Sequence, residues 1–149
     1  MAQKNLNKQF GVVGPVDNTT FNTGGAVQAT LKATDSGTHY NIDGTGDIII
    51  VLPTGSTDNV GVNYSFLVTT AVGGSKNVVF QCAVNFNAAI TLTGNASTRS
   101  ETFKTSGSAL ILANSTAVGT RVNLLCVVDD GSTQIWKAEV YGTPAAQVT

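Results

Sequence analysis

The closing segment of the chain constrains its fold more than any other part of the sequence. It reads VNLLCVVDDGSTQIWKAEVYG, with two apolar runs on either side of Asp129-Asp130-Gly131-Ser132. Asp-Gly between strand-like runs predicts a β-hairpin, because glycine readily takes the positive φ that twist-matched hairpin turns require. The sequence therefore predicts a closing hairpin, at the end of a chain that is β-patterned almost throughout.

Alternation of apolar and polar residues continues through most of the chain from Val27 onward. Apolar side chains occupy every second position of the first such segment: Val27, Ala29, Leu31 and Ala33. This period is typical of a half-buried strand. Further strands are predicted near residues 38–43, 47–52, 61–69, 77–82, 89–93, 98–104, 108–113, 120–128 and 133–141. Turn sequences separate them at roughly 8 to 12 residue spacing, which predicts an all-β fold, an antiparallel β-sandwich or jelly-roll-like barrel.

Apolar patterning divides the chain into three parts. Residues 1–26 contain few large apolar side chains and several glycines, and we interpret them as an extended N-terminal arm. Residues 27–142 form the predicted β-sandwich domain, since 149 residues are enough for one domain to bury a sizeable core. Residues 143–149 contain Pro144 and no large apolar residue, so we expect a loose C-terminal tail.

The predicted core combines one apolar strand face with the single tryptophan. The face consists of Val62, Tyr64, Phe66 and Val68, and we expect it to pack against the strand that carries Val122, Leu124 and Cys126. Trp136 lies on the same face of the last strand as Ala138 and Val140. We expect its ring to anchor the core, because aromatic rings supply bulk that a chain rich in glycine and threonine otherwise lacks. A platform for a ligand is the alternative.

Charge is scarce in this sequence. Charged residues make up 11% of the chain, against about 25% in an ordinary soluble domain. A net charge of -1 gives no broad field to attract nucleic acid or an anionic membrane, and we expect neither as a partner. A neutral surface favours contact with other protein instead, since fewer ions lose their water on assembly.

No targeting segment is visible, and the longest apolar run is too short to cross a bilayer. We therefore expect synthesis in a cytoplasm. Cys82 and Cys126 each continue the apolar face of a strand, which favours buried reduced thiols, with a disulfide as the alternative.

Residues able to carry catalysis are few. His39 is close to Ser36 and Asp43 in the sequence, as a catalytic triad would need. However, His39 and Asp43 alternate on the polar side of a predicted strand while Ser36 lies in a tight turn, so the triad geometry fails. The Gly-Xaa-Ser-Xaa-Gly sequence that exposes a nucleophilic serine is also missing. We expect no catalytic residue and no enzyme activity.

Metal ligands are equally few. One histidine and two separated cysteines do not match a zinc site. A calcium site could be formed by Asp35, Asp43 and Asp47. However, aspartate is also common in β-turns, and we favour the interpretation that these three residues form turns. We expect no metal and no cofactor.

Three segments resemble one family of viral proteins. They read ATDSGTHYNIDGTGDIIIVLPTG, GVNYSFLVTT and RVNLLCVVDDGSTQIWKAEVYG. Their features are a Thr-Asp-Ser-Gly opening, a short apolar strand ending in Leu-Pro, a Gly-led strand of the Tyr-Xaa-Phe type, and a closing Asp-Gly-Ser/Thr hairpin with tryptophan. In these features the chain resembles the head decoration (cement) proteins of tailed bacteriophages.

The resemblance implies a non-enzymatic virion protein, often a trimer, that lies on the outer capsid surface, binds the major capsid protein and bridges neighbouring capsomers. An arm suits this task, because several weak contacts made together give a high overall avidity. We expect the arm to bind the capsid through Lys4, Leu6, Lys8, Phe10, Val12 and Val13. The alternatives are a tail-fibre or spike module that binds host glycans, and a cellular carbohydrate-binding or adhesive domain.

Overall fold

The computed structural model of the protein describes residues 20–21, 27–82, 87–92, 109–113, 115–142 and 146–148. Within these ranges the chain forms β-strands and a single turn of 3-10 helix, at Ala33–Asp35. The strands are β1 (Thr20–Phe21), β2 (Val27–Thr30), β3 (Thr38–Asp43), β4 (Ile48–Val51), β5 (Asn63–Thr70), β6 (Val78–Gln81), β7 (Asn87–Leu92), β8 (Ala109–Leu112), β9 (Arg121–Asp129), β10 (Thr133–Tyr141) and β11 (Ala146–Val148). The expected all-β fold is confirmed. Among the described residues, no helix has the length and apolar character needed to span a membrane.

The strands form two sheets that mix parallel and antiparallel pairs. Sheet A has the order β1-β3-β5-β9-β10-β7, and sheet B has the order β11-β8-β6-β4-β2. The neighbours β1, β3 and β5 are parallel, as are β2, β4 and β6. Antiparallel pairing begins where β9 joins β5 and where β8 joins β6, while β7 runs parallel to β10. The expected antiparallel arrangement is therefore wrong for β1 to β6 and for β7 with β10.

Parallel pairing arises because the first six strands alternate between the two sheets. Each coil of the chain adds one strand to sheet A and the next to sheet B, so that β1-β2, β3-β4 and β5-β6 are three successive coils. Successive coils run in the same direction, and their strands stack in parallel. The turns between these strands lead from one sheet to the other. Alternation of apolar and polar residues does not show whether the next strand in the sequence lies in the same sheet or in the opposite one.

The coils place similar apolar side chains in register and bring both sheets to one core. In sheet B Ile50 aligns with Phe80, and in sheet A Tyr40 aligns with Phe66. The rings of Tyr40 and Phe66 stack with centroids 5.4 Å apart. Phe66 also contacts Phe80 across the two sheets, with centroids 4.7 Å apart. These buried side chains belong to a single hydrophobic cluster.

The predicted core face and its partner strand are confirmed. Tyr64 pairs with Leu124 in the antiparallel ladder of β5 and β9, and both side chains are buried. Trp136 is completely buried opposite Cys126, and its ring stacks on that of Tyr64 at 6.0 Å. The tryptophan is therefore the core anchor that the alternation of β10 predicts.

The closing hairpin between β9 and β10 is also confirmed. Gly131 has φ of 84°, the left-handed conformation that the turn requires. Oδ1 of Asp130 accepts hydrogen bonds from the backbone N–H groups of Ser132 at 2.9 Å and Thr133 at 2.7 Å. These hydrogen bonds lower the pKa of Asp130 below its ordinary value, because they stabilise the ionised carboxylate.

Some predicted segments lie wholly or partly outside the described residues. Residues 1–19 and 22–26 of the predicted arm lie outside the described residues, while Thr20–Phe21 pairs with β3. The strand predicted at 98–104 also lies outside them. In the predicted C-terminal tail, Ala146–Val148 pairs with β8 as an edge strand.

Gly44 lies where the turn of the second coil packs against the third. Its backbone N–H donates to the carbonyl of Thr70 at 3.0 Å. A Cβ at this position would lie 2.7 Å from that carbonyl oxygen and 2.7 Å from the backbone of Val72. We predict that Gly44→Ala lowers the free energy of unfolding by about 1 to 3 kcal/mol, because the two backbones must move apart.

Gly73→Ala is the matched control, because its Cβ would meet only a carbonyl oxygen at 4.0 Å, that of Ala71. Denaturant unfolding followed by Trp136 fluorescence measures both variants. Equal stability of the two variants would show that the coils are not packed this closely.

Candidate functional site

The face of sheet A that points away from the core carries aligned polar side chains from four strands. Strand alternation places them outward, since their neighbours in β3, β5, β9 and β10 are buried. We call this surface the A face. Its residues are His39, Asn41, Asn63, Ser65, Leu67, Arg121, Asn123, Leu125, Lys137, Glu139 and Tyr141.

Strand register arranges the A face in three rows. The central row is His39, Ser65, Asn123 and Glu139. The row on one side is Asn41, Leu67, Arg121 and Tyr141, and the row on the other is Asn63, Leu125 and Lys137. Because paired strands lie about 4.8 Å apart, each row presents closely spaced hydrogen-bonding groups to whatever lies across the sheet.

Two large apolar side chains of the A face are exposed. Leu125 is 40% exposed and Tyr141 is 44% exposed. The hydroxyl of Tyr141 donates to Oε2 of Glu139 at 2.8 Å, and this hydrogen bond raises the pKa of Tyr141. This mixture of apolar and hydrogen-bonding groups resembles the composition of transient protein–protein interfaces, which are about as apolar as the rest of a protein surface.

His39 lies beside Ser65 and not beside Ser36, the serine that is close to it in the sequence. Nδ1 of His39 is 2.7 Å from Oγ of Ser65. Ser36 instead accepts a hydrogen bond from the backbone N–H of Asn63 at 3.0 Å. Ser65 lies in the middle of β5, whose backbone donors are used in ladders on both sides, so they are not available to form an oxyanion hole. The pair fixes the side chains of β3 and β5 relative to each other.

The three aspartates considered as calcium ligands each accept hydrogen bonds from the protein, Asp43 from the backbone N–H of Thr45 at 3.2 Å. Asp47 accepts from the backbone N–H of Asn77 at 3.0 Å and from Nζ of Lys76 at 3.1 Å, and these contacts lower its pKa. Asp35 accepts from the backbone N–H of Lys32 at 3.3 Å. Over the described ranges, no group of three or more His, Cys, Asp or Glu residues is placed to hold a metal ion.

A buried polar cluster ties the loop between β4 and β5 to the hairpin. Oδ2 of Asp129 accepts from the backbone N–H of Ser56 at 2.9 Å and from Nε2 of Gln134 at 3.1 Å. The same amide donates to the carbonyl of Pro53 at 3.2 Å. Asp129 and Gln134 are both buried, so these bonds are shielded from water. The cluster therefore holds one end of β9 and β10, and with it the A face, in place.

The residues predicted to bind a partner are in the predicted N-terminal arm. They are Lys4, Leu6, Lys8, Phe10, Val12 and Val13, and all of them lie outside the described residues. The sequence patterns did not single out the A face. The available signal was the spacing of Arg121, Asn123 and Leu125 between buried residues of β9, with Lys137, Glu139 and Tyr141 in the same relation on β10.

Cys82 and Cys126 are free and buried, so the reduced-thiol interpretation is confirmed. Burial raises the pKa of each thiol to about 12. Both cysteines therefore serve as small core residues in the neutral thiol form.

Comparisons with protein-family models, curated proteins and solved structures gave no match to this chain.

The two thiols should be unreactive in the native protein. The thiolate is the reactive form, and a pKa of about 12 leaves about one thiol in ten thousand ionised at pH 8. We predict that Ellman's reagent labels neither cysteine of the native protein at pH 8 within minutes, and labels both in denaturant. The native rate should rise as the pH approaches 12, for as long as the fold persists. Rapid labelling of one cysteine in the native protein at pH 8 would contradict the burial of that thiol.

Proposed function

We propose that this chain is a structural virion protein, a head decoration (cement) protein that binds the outer capsid surface of a tailed bacteriophage. In this proposal the two sheets form a β-sandwich that presents the A face to the major capsid protein. The protein bridges neighbouring capsomers, has no enzymatic activity and is made in the host cytoplasm. The resemblance of three segments to decoration proteins supports the proposal, and the A face is the observation that carries it.

The chemistry of the A face suits a broad protein surface. Small-molecule sites are concave, whereas the A face is spread over four neighbouring strands of a six-stranded sheet. Its charged residues are Arg121, Lys137 and Glu139, so contact with protein desolvates few ions. Leu125 and Tyr141 supply apolar contact among the polar rows.

Assembly of several copies would strengthen such binding. A homo-oligomer, of which a trimer is the form that the resemblance implies, presents several A faces at once and gains avidity from them. The predicted arm adds a further attachment for each copy. Modest contacts per subunit then suffice to hold the shell together.

A glycan-binding module of a tail fibre or spike is the second candidate. The observation that favours it is the exposed ring of Tyr141, whose hydroxyl donates a hydrogen bond to Glu139. Tyr141 is paired with Arg121, and Glu139 is paired with Asn123 in the neighbouring row. An aromatic ring next to hydrogen-bonding side chains suits one face of a sugar.

Leu125→Lys tests the A face. Heads purified without the protein are sedimented with wild-type chain, Leu125→Lys or the control Val118→Lys. Val118 is 62% exposed in a loop outside the A face, so lysine is tolerated there. We predict that Leu125→Lys weakens head binding by about thirtyfold or more, the size of a hot-spot loss, while Val118→Lys binds as wild type.

Two results would count against this proposal. Equal head binding by Leu125→Lys and wild type would exclude the A face as the attachment surface. Failure of the wild-type chain to bind heads, together with binding to a glycan array that Tyr141→Ala abolishes, would favour the tail-fibre candidate.

Deleting residues 1–19 tests the arm while keeping β1 in place. These residues contain too few large apolar groups to offset an ordering cost of about 1 to 2 kcal/mol per residue, so we predict a nearly unchanged melting temperature. Head binding should fall sharply, because each copy loses one of its attachments. Full head binding by the truncated chain would contradict the role of the arm.

A further inference from the structure

The A face carries two cations that the described part of the protein does not neutralise. Arg121 and Lys137 are both exposed, on β9 and β10. Among the described residues the one ion pair is that of Lys76 with Asp47, which lies outside the A face. The positive charges of Arg121 and Lys137 are therefore available to groups on another molecule.

Glu139 is the anion of the A face, and its carboxylate is already engaged. Its Oε2 accepts from the hydroxyl of Tyr141 at 2.8 Å. Asp43 lies opposite Thr70 at the end of β3, beyond the three rows, and its carboxylate accepts from the backbone N–H of Thr45. The A face therefore has an excess of positive charge, in a chain whose net charge is -1.

Strand register separates the two cations and places each beside an exposed apolar side chain. Arg121 is paired with Tyr141, and Lys137 is paired with Leu125. Tyr141 is four residues beyond Lys137, so the two cationic positions lie about 13 Å apart along the strands, since a strand rises about 3.3 Å per residue. The A face therefore has a pair of one basic and one apolar residue at each end, with Glu139 between the two pairs.

We propose that Arg121 and Lys137 bind carboxylates of the major capsid protein, each at its own end of the A face. A guanidinium group matches a carboxylate in charge and geometry, and arginine and tyrosine are the residues that most often form interface hot spots. The apolar partners of the two cations exclude water around each contact, which strengthens it. This inference rests on the proposed function and deepens it by identifying the chemistry of the capsid surface.

Nucleic acid fits the same pattern less well. It presents phosphates in a continuous row, and Glu139 between the two cations would repel them. A protein surface can instead place carboxylates at two separate points, with a neutral or basic group opposite Glu139. The arrangement of charge on the A face therefore favours an acidic protein surface.

Neutralising each cation tests the inference. Heads purified without the protein are sedimented with wild-type chain, Arg121→Gln, Lys137→Gln or the control Lys32→Gln. Lys32 is exposed between β2 and the 3-10 turn, outside the A face. Fluorescence of the buried Trp136 reports whether each variant is folded. We expect each A-face variant to bind heads about tenfold more weakly or worse, the size of a lost hydrogen bond to a charged group, and the control to bind as wild type.

Charge reversal and salt separate the loss of a charge from a change of shape. Arg121→Glu adds repulsion, so we expect weaker binding than with Arg121→Gln. Raising NaCl from about 0.05 M to about 0.5 M should weaken wild-type binding, because salt screens exposed charges. The double variant, Arg121→Gln with Lys137→Gln, should lose less on the same change of salt. The wild-type measurement needs no substitution, so it holds even where a variant does not fold.

Head sedimentation also separates this inference from the proposed function. Equal binding of heads by the wild type and the folded double variant, or wild-type binding that NaCl does not weaken, would overturn the inference and leave the decoration role in place. Binding of double-stranded DNA that the double variant loses would assign both cations to nucleic acid and overturn the inference as well. A wild-type chain that does not bind heads would count against the decoration role and the inference together.

Discussion

The contact between Phe66 and Phe80 joins the two sheets, and the rest of the fold depends on it. Both rings belong to the third coil, one in each sheet, and their centroids are 4.7 Å apart. The second coil stacks Tyr40 on Phe66 in register, and the hairpin brings Trp136 onto Tyr64. Packing across this core joins the two sheets, and side chains from both sheets belong to one hydrophobic cluster.

Much of the fold was predictable because period-two alternation reports burial directly. The bounds of β3 match the predicted strand at 38–43. The pairing of β5 with the strand that carries Leu124 was predictable because both strands have an apolar face that is buried in the core. The hairpin was predictable from Gly131, since few residues other than glycine take its positive φ at low cost.

Pairing between strands that are distant in sequence was not predictable in the same way. Whether β3 lies parallel or antiparallel to β5 depends on where the intervening β4 goes, and alternation carries no information on that point. The edge strand Ala146–Val148 has too few large side chains to produce a pattern, and it joins β8 through backbone hydrogen bonds.

The candidate site was predictable only as separate polar positions. The sequence places His39 on the polar side of a strand, but only the register between β3 and β5 brings it to Ser65. Gln134 is a polar residue at an inward position, and its partner, the carbonyl of Pro53, is 81 residues away. Contacts of this kind follow from the assembled fold, because no local pattern specifies them.

Charged residues are unevenly distributed between the described strands of the two sheets. Sheet A carries Arg121, Lys137 and Glu139 on its outer side, all on β9 and β10. The described strands of sheet B contain no charged residue.

Hydroxyl-radical footprinting with mass spectrometry measures the exposure of the A face directly. The account predicts that Leu125 and Tyr141 are labelled in the free protein and protected on heads, whereas the exposed loop residue Val118 is labelled in both states. Labelling of Leu125 and Tyr141 that heads do not reduce would contradict the assignment of capsid binding to the A face.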